Sequence, residues 1–547
     1  MKKSFVPGII GLSMLLMNCT SEKPHSVLQY KDFEHYADQF DQGDNELYVQ
    51  HIPNDRASAF LEENIPLIDI PDKELEKIYY FRWWTYRKHI KSTVDGFVIT
   101  EFLPDVSWAG IHNTINCPAA HQIYEGRWLR DPVYIKDYIH FWLNDAGDGI
   151  RSYSFWIADA LLAYSKVNRQ DSFILAQIPG LVQNYNAWEK EKRDAPDRLF
   201  WQIDDRDGME YGASGRVISG GENRSSTEAI RPTINSYMYG DAMAISRLAE
   251  LLEENKISSI FHKKSEVIKD LVQQRLWNDS LLFFTVMPRS YSEDTKALDI
   301  REIIGYIPWY FNLPDDRPEY GLAWSKLMDT TGFYAPYGPT VCEQSHPFFQ
   351  ISYEGHACQW NGPSWPFATT QTLKALANFV NNYENNHSVR GEDYYTLLSQ
   401  YARSHRIVLD NGEERPWIDE NLNPYTGDWI SRSRLKTGEN GTWSEEKGGV
   451  ERGKDYNHSG FCDLVISDLI GLKPQLDKTI IIKPLVPESW DWFCLDKINY
   501  HGKDLTILWD RDGSRYGLGR GFQVFVDGSR IFESESILPA EIKAFMN

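Results

Sequence analysis

The stretch INSYMYGDAMAISRLAELL, residues 234–252, decides the fold of this chain. Its apolar residues Ile234, Tyr237, Met238, Ile245 and Leu248 recur at largely three-to-four-residue spacing, the period of an α-helix. Similar helical windows lie on both sides of it, near 75–90, 131–143, 151–166, 174–191, 262–276, 298–310, 316–328, 364–382, 391–409 and 458–471. About a dozen helices joined by loops make six helical hairpins. That number predicts a mainly α fold, an (α/α)6 toroid whose loops frame a central pocket at one end.

The composition narrows the class of ligand. The 547 residues carry a net charge of −21, which disfavours nucleic acid and anionic lipid surfaces as partners because phosphates demand a basic surface. Aromatic residues make up 14% of the chain, with 19 Trp and 30 Tyr. Aromatic faces stack on the apolar faces of sugar rings, so carbohydrate is the first ligand class to consider. The alternative is that a large helical domain packs its aromatics in the core.

The segment WQIDDRDGME, Trp201 to Glu210, crowds four carboxylates and an arginine between large apolar residues. Carboxylates packed this closely repel one another, and a fold keeps them in a cleft mainly when their altered proton affinity is used. All four carboxylates, Asp204, Asp205, Asp207 and Glu210, are therefore candidates for catalysis. A solvated acidic turn is the competing interpretation, although Trp201 and Met209 are unusual partners for an exposed turn.

A second acidic pair, Asp419 and Glu420, lies in a long loop about two hundred residues further on. Glycoside hydrolysis commonly needs two carboxyl groups, one protonated and one ionised, on either side of the scissile bond. A closed toroid would bring two such loops together across a pocket. Two unrelated surface loops are the alternative that spacing alone leaves open.

Three segments carry a resemblance to a known group of enzymes. ENLNPYTG from Glu420, DGME from Asp207 and WNGPSW from Trp360 resemble motifs of glycoside hydrolase family 63 and mannosylglycerate-hydrolase-like enzymes, within the six-hairpin glycosidase superfamily. The resemblance spans much of residues 70–471. It implies an inverting hydrolase with Glu420 as general base and Glu210 as general acid. Glu210 stands where the family has Asp, so the acid stays open among Glu210, Asp207 and Asp204, in that order.

Several other side chains are candidates for substrate binding. Arg127 and Trp128 lie in a loop that resembles the substrate-positioning loop of the superfamily, and further candidates come from the WNGPSW segment and from the acidic loops: Trp360, Asn361, Trp365, Trp201 and Trp417. No organic cofactor is expected. Apart from Cys19 the five cysteines are scattered without a Cys-x-x-Cys pair, so no metal site or disulfide framework is expected either.

The two ends of the chain differ from its helical middle. Lys2, Lys3 and the short apolar run that follows predict a signal peptide over residues 1–19, and LLMNC at 15–19 resembles a bacterial lipobox with Cys19 as the lipidated residue. Residues 20–54 are expected to be a tether and N-terminal arm, and 55–473 the catalytic toroid. Short alternating apolar runs after Pro474 predict a β-sandwich domain over 474–547.

The sequence therefore predicts a monomeric, exo-acting, inverting glycosidase. Its expected location is the bacterial cell envelope, held by an N-terminal lipid on the periplasmic or surface face of the outer membrane. A non-catalytic glycan-binding lipoprotein is the alternative from another class, since it would use the aromatics but not the two acidic loops. A polysaccharide lyase ranks last, because a pocket lined by acids would repel uronate substrates.

Overall fold

The computed structural model describes residues 26–290, 292, 294–354, 356, 358–437, 444, 448–449 and 451–543. The predicted signal peptide and the lipidation site Cys19 lie outside the described residues, so the lipid anchor stays a prediction. Within the described residues, no helix combines the length and the apolar character needed to cross a bilayer.

Helices dominate the fold. The α-helices are α1 Glu34–Gln42, α2 Ala57–Asn64, α3 Lys73–Lys88, α4 Ala119–Gly126, α5 Val133–His140, α6 Ile157–Ser165, α7 Asp171–Lys192, α8 Ala213–Ile218, α9 Pro232–Leu251, α10 Asn255–Arg275, α11 Ile307–Tyr310, α12 Pro318–Gly321, α13 Pro366–Asn382, α14 Gly391–Ser404 and α15 Ile430–Thr437. A π-helix, Leu464–Leu469, follows near the end of the helical region.

Six of these helices form an inner ring. They are α4, α6, α9, α11, α13 and the π-helix, and each packs against the next in that order. The helix that precedes each of them in the hairpins belongs to an outer layer: α3, α5, α7, α10, α12 and α14. The predicted (α/α)6 toroid is confirmed.

Proline and glycine fit the inner helices at their starts and at one close approach. α9, α11 and α13 all have proline in the first turn, where the missing N–H costs no hydrogen bond. Gly240, inside α9, lies so close to α11 that an added Cβ would stand 2.2 Å from the Phe311 ring. Glycine is required there by the close approach of two helices.

A carboxylate at the end of the first inner helix helps to join it to the last. Glu125, at the end of α4, accepts hydrogen bonds from the backbone amides of Phe461, Cys462 and Asp463 at 2.7, 2.6 and 2.7 Å. These amides begin the last inner helix and have no partner inside it, as at every helix start. Glu125 is buried, so the three bonds form away from water.

The N-terminal arm is more ordered than its polar sequence predicts. Helix α1 packs on α3, with the Tyr36 ring 5.2 Å from that of Tyr80 and the Phe40 ring 5.4 Å from that of Phe81. Glu76 anchors the same helix by accepting a hydrogen bond from the Tyr36 hydroxyl at 2.9 Å. Charged residues separate the aromatics of the arm, so its sequence shows no clear helix face.

The strands are short in the toroid and longer after it. They are β1 Leu67–Asp69, β2 Ile90–Thr93, β3 Gly96–Ile99, β4 Trp201–Ile203, β5 Glu228–Ile230, β6 Trp277–Asn278, β7 Phe283–Phe284, β8 Met287–Pro288, β9 Arg406–Val408, β10 Glu414–Pro416, β11 Leu472–Lys473, β12 Ile480–Ile482, β13 Trp492–Tyr500, β14 Lys503–Asp510, β15 Gly521–Val526, β16 Ser529–Ser534 and β17 Ala540–Ile542.

The small C-terminal β-domain is confirmed, and it contains two antiparallel sheets. One has the order β1-β13-β14-β15-β16 and the other the order β11-β12-β17. Strand β1 comes from the chain before the toroid and pairs Leu67 with Asp496, while Asp69 forms an ion pair of 2.9 Å with Arg515. The C-terminal sheet therefore includes a strand that lies outside the predicted 474–547 boundary.

We expect Glu125→Ala to lower the free energy of unfolding by about 3 kcal/mol, because it leaves three buried amides without an acceptor. Urea unfolding followed by tryptophan fluorescence measures the change. Glu266→Ala, at an exposed position of α10, serves as the matched control and should change stability by less than about 0.5 kcal/mol. Equal stability of the two variants would contradict the role of Glu125 in closing the ring.

Candidate active site

A cavity of about 240 Å³ lies at the end of the toroid where the inner helices begin. Three carboxylates line it, Glu101, Glu210 and Glu420. Aromatic side chains supply half of the other lining residues: Phe102, Trp108, Tyr153, Trp360, Trp365, Phe367 and Tyr456. Among the described residues, Arg452 is the only arginine or lysine that lines it.

A tight turn delivers Glu210 to this cavity. Strand β4 leads into a 3₁₀ turn, Asp204–Asp207, which ends at Gly208 with φ +73°. Glycine is favoured at this position for two reasons: φ is positive, and an added Cβ would stand 2.7 Å from the Cys117 sulfur. The backbone carbonyl of Glu210 then accepts a hydrogen bond from the Trp360 amide at 3.1 Å.

The structure separates the three candidates for the general acid. Asp207 is buried in an ion pair with Arg231, whose Nε lies 2.7 Å from Oδ2, and it also accepts the Thr233 hydroxyl. Asp204 is buried as well and accepts the Thr227 amide at 2.9 Å. Glu210 alone of the three lines the cavity. Asp204 and Asp207 hold the turn in shape from behind it.

The surroundings of Glu210 favour its protonated form. Burial raises the pKa of Glu210 to about 8, and the negative charges of Glu420, Asp205 and Asp204 raise it further, while its own backbone amide acts in the opposite direction. A carboxyl group with this pKa holds its proton at neutral pH.

Glu420 has a different environment across the same cavity. The Nε of Arg452 lies 3.4 Å from its Oε1, and the Cys358 sulfur lies 3.9 Å from Oε2. The preceding Asp419 is buried behind it and shapes the loop, because its Oδ1 accepts the Glu420 amide at 2.8 Å and the Ser431 hydroxyl at 3.1 Å. The positively charged guanidinium of Arg452 thus lies next to the Glu420 carboxylate.

The WNGPSW segment connects the two acidic loops. Trp360 donates its amide to the Glu210 carbonyl, and Ser364 exchanges two backbone hydrogen bonds of 3.0 Å with Leu422, two residues after Glu420. Trp360 and Trp365 stack with ring centroids 4.4 Å apart, and both line the cavity. One short segment therefore positions both carboxylates and builds an aromatic wall.

Glu101 is a cavity carboxylate that the sequence motifs do not reveal. It follows β3, its side chain accepts a hydrogen bond from the Tyr456 hydroxyl, and burial raises its pKa to about 8, with Tyr456 lowering it and the charge of Glu420 raising it. A single glutamate before the Phe102-Leu103-Pro104 loop carries no recognisable motif. Only the fold places it beside Glu420.

Five predicted substrate-binding residues lie away from this cavity. Trp128 donates its indole N–H to Asp463 at 2.8 Å, and Arg127 forms an ion pair of 2.7 Å with the same carboxylate. Asn361 donates to the Phe348 carbonyl at 3.2 Å. The Trp201 ring lies between Lys192 and Arg289, at 4.1 and 3.6 Å, and Trp417 faces Arg432 at 4.6 Å. Each of these five side chains therefore contacts another part of the protein through a hydrogen bond, an ion pair or a cation–π contact.

Comparison with known proteins places the chain in a family. The mannosylglycerate hydrolase MGH1-like glycoside hydrolase domain matches residues 111–459, more than half of the chain and the part that contains Glu210 and Glu420. The chain belongs to this glycoside hydrolase family. The C-terminal domain of glycosyl hydrolase family 65 matches residues 474–531.

Two solved structures share the fold of this chain. A protein named sialidase is 42% identical, with a TM-score of 0.84 over 95% of this chain and 45% of its own. A glycoside hydrolase family 78 rhamnosidase of Bacillus sp. GL1 shares the fold at 10% identity, with a TM-score of 0.50 over 81% of this chain and 40% of its own. This glycoside hydrolase chain thus spans less than half the length of either structure.

The raised pKa of Glu210 predicts a pH-dependent effect on stability. The folded protein holds this proton up to about pH 8, whereas the unfolded chain releases it near the ordinary value of 4.5, so Glu210 destabilises the fold increasingly as pH rises between the two. We expect Glu210→Gln to be more stable than the parent protein above pH 5. The difference should grow by up to about 1.4 kcal/mol per pH unit until pH 8.

Urea unfolding at several pH values between 5 and 8.5 measures this difference. Glu250→Gln, at an exposed position of α9, is the control and should show no such trend. A pH-independent difference between Glu210→Gln and the parent would show that Glu210 has an ordinary pKa.

Proposed function

We propose that this chain is an exo-acting, inverting glycoside hydrolase with Glu210 as general acid and Glu420 as general base. The observation that carries the proposal is the unequal environment of two carboxylates in one small cavity. Glu210 is kept protonated by burial and by neighbouring negative charges, whereas Glu420 lies beside the Arg452 guanidinium. Pairs of carboxyl groups whose environments differ in this way serve as acid and base.

The chemistry follows from these positions. The carboxylic acid of Glu210 donates its proton to the oxygen of the departing sugar as the glycosidic bond breaks. Glu420 takes a proton from a water molecule, which attacks the anomeric carbon from the opposite face and inverts its configuration. The ionised carboxylate of Glu420 also supplies negative potential that stabilises the oxocarbenium-like transition state.

The cavity favours a single, uncharged sugar ring. Its volume of about 240 Å³ is small for a binding site and its walls are aromatic, as stacking against a pyranose or furanose requires. A small pocket that closes around one ring cuts from a chain end, which supports exo action. The expected location at the cell envelope, through lipidation of Cys19, remains part of the proposal.

A substrate with its own carboxylate fits this cavity poorly. As the proposed base, Glu420 carries a negative charge that would repel it, and the cavity arginine, Arg452, already lies beside Glu420. This charge distribution argues against an acidic sugar as substrate, even though the 42% identical protein, of which the chain covers only 45%, is named a sialidase. It also argues against a lyase that binds uronates.

We expect Glu420→Gln to reduce kcat by at least about 10³-fold on a released monosaccharide assay, because the amide keeps the shape but accepts no proton. Sugar affinity, measured by calorimetry, should stay within about tenfold of the parent protein. Glu354→Gln, exposed and outside the cavity lining, is the matched control and should keep kcat. Turnover by Glu420→Gln at the parent rate would refute the assignment of the base.

A parent protein that binds glycans but hydrolyses none of a broad panel would favour the glycan-binding lipoprotein instead. The raised pKa of Glu210 argues against that alternative, because such a group lowers the stability of the fold at neutral pH and a binding protein needs no proton donor.

The stereochemistry tests the mechanism as a whole. We expect the first product, followed by proton NMR, to have the anomeric configuration opposite to that of the substrate. In a complex, the carboxyl groups of Glu210 and Glu420 should lie about 6.5 to 9.5 Å apart, which leaves room for the attacking water. Initial release of the retained anomer, or a separation near about 5 Å, would instead indicate a covalent intermediate.

A further inference from the structure

A second cavity, of about 380 Å³, lies at the opposite end of the inner ring. The C-terminal parts of the inner helices line it, with Arg127 directly after α4 and Lys166 directly after α6. Residues of β11 and β12, including Lys473, cover one side. It is separate from the acidic cavity, which lies where the same helices begin.

Six cationic side chains line this second cavity: Arg127, Lys166, Arg247, Lys374, Lys473 and Lys483. Asp159 is the one carboxylate in its wall, among the described residues. The chain as a whole carries a net charge of −21, so general composition does not explain so many cations in one place.

Three of the six cations share two carboxylates behind the wall. Arg127 and Lys374 contact Asp463 at 2.7 and 3.2 Å. Lys374 and Lys473 contact Asp468 at 3.2 and 2.5 Å. Three positive charges against two negative ones leave even this paired group with an excess of positive charge.

The other three cations have no carboxylate within ion-pair distance among the described residues. Lys483 donates to two neutral acceptors, the Asn381 carbonyl and Asn382 Oδ1, both at 3.1 Å. For Lys166 and Arg247, the described residues supply neither a hydrogen bond nor an ion pair. Burial lowers the pKa of Lys166 to about 8, with Asp159 acting in the opposite direction.

Helix ends explain part of this cluster but not all of it. The C-terminal carbonyls of helices carry partial negative charge and attract cations. Arg127 satisfies one such carbonyl, that of Ala163, at 3.2 Å, and Lys483 satisfies that of Asn381. Lys166 and Arg247 contact no carbonyl in the described residues. In the described part of the cavity wall, Asp159 is the one group that offsets their charge, and it lies beyond ion-pair distance of both.

We propose that this cavity binds a compact multivalent oxyanion, of phosphate to citrate size, between Lys166, Arg247 and Lys483. Several oxygens on one ligand would satisfy several ammonium and guanidinium donors at once, which is the arrangement that binds phosphates and carboxylates in proteins. The site is independent of the proposed glycosidase reaction, because it lies at the other end of the toroid.

Calorimetry with sodium phosphate and sodium citrate, at constant ionic strength against sodium chloride, tests the proposal. We expect one of the two anions to bind with a Kd below about 1 mM. The double variant Lys166→Met/Arg247→Met should weaken binding at least about tenfold, because each lost charged hydrogen bond is worth that much. Lys256→Met, which removes an exposed charge from α10, should bind the anion as the parent does.

Thermal unfolding gives a second measurement that does not depend on the double variant. Arg247→Met alters an exposed position and should fold normally, yet the rise in Tm that the anion produces in the parent should shrink. The proposal would be overturned if neither anion bound with a Kd below about 10 mM. Binding that is equally strong in the parent and in the Lys166 and Arg247 variants would also overturn it.

Discussion

The closed ring depends on a buried carboxylate that three backbone amides share. Glu125 joins the end of the first inner helix to the start of the last, across more than three hundred residues of sequence. A buried carboxylate is costly unless it is fully hydrogen-bonded, and unpaired amides at a buried helix start are costly as well. The hydrogen bonds between them offset the desolvation of both the carboxylate and the amides. Hydrogen bonding therefore stabilises the closed toroid in addition to packing.

A closed ring of helices with a common direction has two different ends. At the end where the inner helices begin, the loops place Glu101, Glu210 and Glu420 around one aromatic cavity. At the end where they finish, cations gather around a second one. Helix dipoles favour this distribution, since N-termini stabilise negative charge and C-termini stabilise positive charge. The backbone of the inner helices therefore makes the electrostatic potential differ between the two ends of the toroid, independently of the side chains.

Burial then differentiates the carboxylates of the acidic end. Glu210 and Glu101 have pKa values raised to about 8, mainly because water is excluded from them, while Arg452 accompanies Glu420. The segment from Trp360 to Trp365 holds the two acidic loops at a defined separation through backbone hydrogen bonds. Backbone bonds of this kind do not depend on side-chain rotamers, which gives the site rigidity without additional charged groups.

The sequence by itself determined the helical toroid, the β-rich tail and the two loops that carry Glu210 and Glu420, because helical periodicity and short motifs are local properties. Only the tertiary structure decided that Asp204 and Asp207 turn away from the cavity, that Glu101 enters it, and that Arg127 and Trp128 lie at the opposite end. It also decided that β1 joins the C-terminal sheet. These outcomes depend on contacts between residues far apart in the chain, and neither residue of such a pair carries a local signal of the other.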